Sequence, residues 1–181
     1  FALFTEQGTS ASHTAAGKFL DAIARMPGMS GFDSDATSAY TQCPLEETNT
    51  SLMDGGGASE TWITPPVDKW PAHWHGKYET KGPNRPVVRL RLSLYGHPKA
   101  GLYWEKHCND HLAKAGFVPV DNWPSMFWHR ELSLLLMVCV DDMKMAGPKA
   151  SLVKGWKLIR EGLDVDDLAP VVRCLGCHHS V

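Results

Sequence analysis

The run of apolar residues at 134–140, which ends in Asp141 and Asp142, constrains the fold of this chain more than any other feature. An unbroken apolar run of this length that stops at a turn is typical of a buried strand. Apolar residues resume after the aspartates and stop at Gly147, so the pattern predicts a hairpin with two carboxylates at its tip. Charges beside a hydrophobic core cost free energy unless they are compensated, and a divalent cation that binds carboxylate oxygens is a common compensation. Function is therefore predicted at this turn.

The composition of the chain limits the classes of protein to which it can belong. Its 181 residues are 43% hydrophobic and carry a formal net charge of -2, which indicates a globular protein without a general basic field for nucleic acid. No apolar stretch approaches the roughly 20 residues that cross a membrane, and no secretory signal is present. Five cysteines, an odd number at irregular spacing, favour reduced thiols in an intracellular setting. Because the chain starts at Phe1 and ends abruptly, we expect it to be a fragment of a longer polypeptide.

Hydrophobic periodicity predicts a mixture of helices and strands. Polar, glycine-rich residues at 46–59 predict an exposed loop insertion. Helices are predicted at 12–25, 99–115 and 151–162, and strands at 60–66, 87–94, 127–129 and 132–140. This mixed order favours an α+β fold, with an antiparallel sheet and the helices packed on one of its faces.

Three groups of acidic residues could meet at one site. Phosphoryl transfer by two metal ions needs about three carboxylates around ions that lie roughly 4 Å apart. An Asp-Asp dipeptide alone is most often a solvated turn, so a further carboxylate from a neighbouring strand is needed. The candidates are the pair at 141–142, Asp33 or Asp35 at an early strand, and the cluster Asp164, Asp166 and Asp167. The last cluster lacks the spacing and the glycine of a calcium loop, so we interpret it as an exposed acidic turn.

A zinc site is an alternative interpretation of the cysteines. Cys174 and Cys177 form a Cys-x-x-Cys pair, and Cys108 and His111 form a second short pair. Together these residues could supply the four ligands of a zinc-stabilised binding module. The other interpretation is that the cysteines are small buried apolar side chains.

Three segments resemble motifs of copia-type reverse transcriptases. Residues 35–40 read Asp-Ala-Thr-Ser-Ala-Tyr, and residues 138–142 end in Asp-Asp like the family's aromatic-x-Asp-Asp hairpin. Residues 92–104 read Leu-Ser-Leu-Tyr-Gly and, further on, Trp, which is similar to the family's Ser-Leu-Tyr-Gly…Trp segment. The aromatic residue of the first motif follows Asp35 by five positions, so Asp35 fits it and Asp33 is expected in a solvated turn. Weaker matches follow in the same order at 60–66, 116–117, 126–127 and 175–176.

The resemblance implies a polymerase domain with a two-metal site. Residues 1–181 would be a partial reverse transcriptase domain, the palm with a remnant of the fingers, that adds deoxynucleotides to a primer 3′ end. By analogy with the family, Asp35, Asp141 and Asp142 would be the catalytic and metal-binding residues, with Mg²⁺ as the cofactor and Mn²⁺ as its alternative.

The same resemblance implies a nucleotide pocket. The backbone amide of Ala36 would contact the triphosphate, and Tyr40 would lie under the sugar and exclude a 2′-hydroxyl. Tyr95 and Gly96 would line the pocket near the templating base pair, where glycine permits close approach of the backbone.

The resemblance also implies partners and a location. The partners would be an RNA or DNA template-primer, deoxynucleoside triphosphates and the rest of a Pol polyprotein with RNase H and integrase, and no membrane. The location would be intracellular, in cytoplasmic virus-like particles and the nucleus, without secretion. Cys139 stands where the family usually has tyrosine, and residues 97–102 also depart from the family pattern. These departures leave open a degenerate or domesticated, catalytically inactive copy that at most binds nucleic acid or protein.

Overall fold

The computed structural model describes residues 14–45, 60–170, 173–174 and 177–178. The predicted loop insertion at 46–59 lies outside the described residues. The chain divides into two compact units, one made of Phe1–Cys43 with Leu94–Val181 and the other of Pro44–Ser93. The described helices of the larger unit are α1 (Thr14–Ala24), α2 (Ala100–Lys114) and α3 (Lys149–Arg160).

The larger unit is built on a six-stranded antiparallel sheet. The bounds of its strands are Met29–Asp35 for β1, Phe117–Pro119 for β4, Met126–His129 for β5, Leu134–Cys139 for β6, Asp142–Pro148 for β7 and Ala169–Pro170 for β8. The order of these strands across the sheet is β4-β5-β6-β7-β1-β8. Arg173–Cys174 (β9) and Cys177–His178 (β10) form a separate two-stranded sheet. The α+β class and the antiparallel sheet are therefore confirmed.

The central hairpin of the sheet is the one that the apolar run predicts. Strands β6 and β7 pair from Leu135 opposite Ala146 to Cys139 opposite Asp142, which leaves Val140 and Asp141 as a two-residue turn. Strand β7 pairs on its other side with β1. The hairpin therefore lies in the middle of the sheet, where its apolar residues have neighbours on both sides.

The helices pack on both faces of the sheet, so the prediction of a single covered face is wrong. On one face, α2 and α3 pack against residues such as Leu136 and Met145. On the other face, α1 packs against Met137 and Ala146. Adjacent residues of a strand point to opposite faces, so a strand without polar alternation needs cover on both. The unbroken apolar run of β6 is therefore a sign, within the sequence, that both faces of the sheet must be covered.

The ends of the predicted helices agree with the structure to within a few residues. Helix α2 stops one residue before Ala115, and Gly116 follows in a left-handed conformation with φ +88°. Glycine adopts this conformation without steric cost, which explains the sharp end of the helix. No helix within the described parts of the chain has the length and apolar character needed to span a membrane.

The described residues of the smaller unit, 44–45 and 60–93, contain little regular structure. Its strands β2 (Trp62–Ile63) and β3 (Val88–Arg89) form a two-stranded antiparallel sheet, and Arg89 makes an ion pair of 3.0 Å with Glu60. The predicted strand at 87–94 is therefore shorter than expected. Strand β2, which pairs with β3, is followed closely by Pro65 and Pro66, and these residues have no backbone N–H to continue the hydrogen bonds between the strands.

Candidate functional site

The sheet places two of the three predicted catalytic aspartates side by side. Asp35 is the last residue of β1, Asp142 is the first residue of β7, and the register of the two strands makes them direct partners. On its other side Asp142 faces Cys139 of β6. The early strand and the hairpin, which are about 100 residues apart in sequence, therefore bring their carboxylates to the same edge of the sheet.

The turn that carries Asp141 has a strained backbone. Val140 has φ +59°, and Asp141 does not share this left-handed conformation. Tight hairpin turns favour glycine at positions where φ is positive. A β-branched residue in this conformation is a genuine outlier and costs on the order of 1–3 kcal/mol. The surrounding structure must therefore hold the turn in place.

Two hydrogen bonds hold the peptide groups of this turn. The backbone N–H of Ala36 donates to the carbonyl of Asp141 at 2.8 Å. The indole N–H of Trp104 in α2 donates to the carbonyl of Val140. The Ala36 amide, which the family resemblance assigns to the triphosphate, thus has a partner inside the protein.

The Asp142 carboxyl group binds a proton more readily than an isolated aspartate does. Burial raises the pKa of Asp142 to about 6, with further contributions from a hydrogen bond to the side chain of Asp35 and from the charges of Asp35 and Asp141. Like charges held this close are relieved either by a proton or by a cation.

Asp33 lies within β1 and not in a solvated turn, so that prediction is wrong. It is the cross-strand partner of Lys144 and shares a face of the sheet with Asp35. Its carboxylate oxygen Oδ1 lies 4.0 Å from the Lys144 ammonium, and burial raises the pKa of Asp33 to about 6 even though Lys144 acts in the opposite direction. Lys144 itself is buried and makes an ion pair of 2.6 Å with the buried Asp21 of α1. Sequence inspection missed this group because Lys144 reads as one polar residue in an apolar strand.

Three of the residues predicted for the nucleotide pocket lie together beside the turn. Tyr40 follows Ala39 in a short 3-10 helix, Ala39–Gln42, and its ring centroid is 4.6 Å from that of Tyr95. Burial raises the pKa of Tyr40, as do the negative charge of Asp141 and the neighbouring Tyr95. Gly96 has φ +89°, and a side chain there would meet no atom within 4 Å. Glycine is therefore required at this position by the positive φ of the backbone and not by a lack of space for a side chain.

The late acidic segment packs against the same edge through its backbone and through the side chain of Asp166. The N–H of Asp166 donates to the carbonyl of Asp35 at 2.9 Å, and the hydroxyl of Thr37 donates to the Asp166 carboxylate at 2.6 Å. The Asp164 carbonyl accepts hydrogen bonds from the Thr37 N–H and from the side chain of Gln42. The side chains of the acidic residues remain exposed, as the sequence predicts, but the segment also fixes the residues that follow Asp35.

The described part of the proposed zinc site is poorly suited to zinc. Cys108 is buried, and burial, together with the nearby Cys43 and Glu105, raises its pKa to about 12. Zinc binds the thiolate, so this environment opposes coordination. His111 Nε2 lies 3.0 Å from the carbonyl of Leu158, and the side chains of Cys174 and Cys177 lie outside the described residues.

The residues at the turn match a hard divalent cation in their chemistry. Asp35 and Asp142 offer two adjacent carboxylates whose mutual repulsion a cation would relieve, and Asp141 lies beside them in sequence. Across residues 14–45 and 60–170, however, no three His, Cys, Asp or Glu side chains are grouped so that they could hold a metal ion. The Asp141 side chain would have to turn toward the pair to complete a set of three.

Comparison with known families supports the resemblance of the motifs. The model of a family described as reverse transcriptase (RNA-dependent DNA polymerase) matches residues 72–180, which contain Asp141, Asp142, Tyr95 and Gly96. Searches of curated proteins and of solved structures gave no match. The matched segment covers more than half of the chain, so the chain belongs to the copia-type reverse transcriptase family.

Proposed function

We propose that this chain is the part of a copia-type reverse transcriptase that adds deoxynucleotides to the 3′ end of a primer on a nucleic-acid template. The observation that carries the proposal is the register of β1 and β7, which pairs Asp35 with Asp142 beside the Asp141 turn. A motif match alone cannot supply this juxtaposition, because it depends on the alignment of two strands far apart in sequence.

In this proposal Asp35, Asp141 and Asp142 hold the divalent ions, Mg²⁺ or alternatively Mn²⁺. When bound, such ions lower the pKa of the primer 3′-hydroxyl and neutralise the charge of the incoming triphosphate. The paired strands hold Asp35 and Asp142 at one edge of the sheet, and the hydrogen-bonded turn holds the backbone of Asp141 beside them.

The aromatic pair beside the turn would select the sugar of the incoming nucleotide. Tyr40 is half-buried, lies close enough to Asp141 to feel its charge, and is backed by the ring of Tyr95. A ring held in this way would form a rigid surface of the pocket, and a 2′-hydroxyl on the incoming nucleotide would contact it. The partners in the proposal are a template-primer and deoxynucleoside triphosphates, and the rest of a Pol polyprotein would supply RNase H and integrase.

The test is extension of a DNA primer on an RNA template with Mg²⁺, using the unmodified chain and Asp141→Asn. We expect Asp141→Asn to abolish extension, because the amide removes a negative charge from the set of carboxylates. Asp110→Asn is the matched control, since it makes the same chemical change at an exposed position of α2 and should leave extension unchanged. Extension by Asp141→Asn at the rate of the control would refute the proposed mechanism.

The pocket assignment has its own test. Replacing Tyr40 with valine opens the space under the sugar, so preference for deoxynucleotides over ribonucleotides should fall by about tenfold or more. Competition between the two nucleotides in the same primer extension measures this preference. Tyr78→Val removes a tyrosine ring in the other unit and serves as the control. An unchanged preference in Tyr40→Val would remove Tyr40 from the pocket.

A further inference from the structure

We infer that Trp104 is a positioning residue of the Asp141–Asp142 turn, acting through the hydrogen bond from its indole N–H to the carbonyl of Val140. Its role in the reaction rests on the proposed function, but its role in holding the turn does not. Trp104 lies in α2, 36 residues before its acceptor, so the contact connects the helix layer to the tip of the hairpin.

Trp104 is well placed to act as a fixed support. Its side chain is only 2% exposed and belongs to the core on the face covered by α2 and α3. Large buried side chains in a close-packed core occupy one conformation, so the direction of the indole N–H is fixed by packing. The donor is therefore in place before any substrate binds.

The acceptor is the atom that sets the orientation of the turn. The Val140 carbonyl belongs to the peptide group that joins Val140 to Asp141, so holding this oxygen fixes the plane from which Asp141 projects. Val140 has the left-handed conformation that valine disfavours, and without support the turn would relax toward other conformations. The second anchor, the bond from the Ala36 N–H to the Asp141 carbonyl, holds the next peptide group.

The effect of the Trp104 hydrogen bond can be separated from the effect of packing, because the same core contains a second buried tryptophan. Trp156 of α3 is 1% exposed, and its indole nitrogen has no hydrogen-bond partner among the described residues. Trp104→Phe and Trp156→Phe therefore remove the same atoms from the same core. Only the first substitution removes a hydrogen bond to the turn.

The experiment measures amide hydrogen exchange of the unmodified chain and both variants by NMR, with the Ala36 amide as the reporter of the turn. The Leu136 amide of β6 reports general loss of stability. In Trp104→Phe we expect the protection of Ala36 relative to Leu136 to fall by about fivefold, the factor that corresponds to one typical hydrogen bond of about 1 kcal/mol. In Trp156→Phe this ratio should not change. Primer extension should show a similar fall in kcat, with little change in KM, for Trp104→Phe alone.

Each outcome decides one question. If the ratio of Ala36 to Leu136 protection is equal in the two variants, the inference about Trp104 is wrong, whatever the activity. If the ratio falls only in Trp104→Phe but the unmodified chain extends no primer, the positioning of the turn stands and the proposed function fails. If extension is present and kcat falls equally in both variants, the effect on the reaction comes from packing and the catalytic part of the inference is wrong.

Discussion

Removing either partner of the buried ion pair between Lys144 and Asp21 should destabilise the fold strongly, and the two losses should not be additive. Both side chains are almost completely buried, with 3% and 2% of their surfaces exposed, and the ammonium nitrogen lies 2.6 Å from Asp21 Oδ1. The pair joins α1 to the strand that begins with Asp142, on the face of the sheet that also carries Asp33. The substitutions Lys144→Met and Asp21→Ala, alone and combined, test its role.

The magnitude follows from two opposing effects. At 2.6 Å and an effective dielectric constant of about 20, the attraction is on the order of 6 kcal/mol, and desolvation costs several kcal/mol for each ion. The net contribution of the intact pair is therefore small. Removing one partner leaves the other charge buried, which should cost about 3–5 kcal/mol. Lys144→Met also removes the cation beside Asp33, so it should be the more harmful single substitution.

Urea denaturation at pH 7, followed by circular dichroism, measures these free energies of unfolding. We expect each single variant to lose about 3–5 kcal/mol, a large part of the about 5–15 kcal/mol of a typical domain. The double variant should recover most of this loss, because it leaves neither partner of the pair buried alone. Single variants that lose less than about 1 kcal/mol, or a double variant that loses the sum of both, would show that the two buried charges do not depend on each other.

Two further predictions concern Asp33 and Gly155. Burial raises the pKa of Asp33 from 3.8 to about 6, so the folded state binds a proton on this carboxyl group more tightly than the unfolded state does. The stability that this proton contributes is present below pH 4 and is lost as the pH rises through about 6. Asp33→Asn should therefore be more stable than the unmodified chain at pH 7 in urea denaturation, with the difference shrinking toward pH 4; a difference independent of pH would contradict the raised pKa. Gly155→Ala places a Cβ 2.3 Å from Leu134 Cδ1 and 2.8 Å from Met145 Sδ, so thermal and urea denaturation should show a loss of about 1–3 kcal/mol although alanine favours helices. If Gly155→Ala instead stabilises the chain, α3 and the sheet move apart easily enough to make room for the added Cβ.

Local patterns predicted the parts of the fold that depend on neighbouring residues. The hairpin follows from an apolar run that two aspartates interrupt, and the end of α2 follows from the glycine at 116. The two covered faces of the sheet could also have been predicted, since β6 has no polar alternation. The choice of a single covered face gave too much weight to the mixed order of helices and strands.

Contacts between distant residues could not be predicted in the same way. Nothing in the sequence pattern near Lys144 identifies Asp21, 123 residues away, as its partner. The partner of the Trp104 indole likewise depends on how α2 packs under the hairpin. The pairing of Asp35 with Asp142 needs a strand register, which the family motifs imply only indirectly. The roles of the individual site residues, including the contact of Ala36 with a triphosphate, stay predictions.

Mg²⁺-dependent primer extension by Asp35→Asn, Asp142→Asn and the double variant tests whether Asp35 and Asp142 act as one catalytic unit. If the two carboxylates act together, each single variant loses nearly all extension and the double variant loses no more than either single one, because residues that act as a unit are not additive. Extension that persists in either single variant, or a chain whose activity ignores Mg²⁺, would contradict the account.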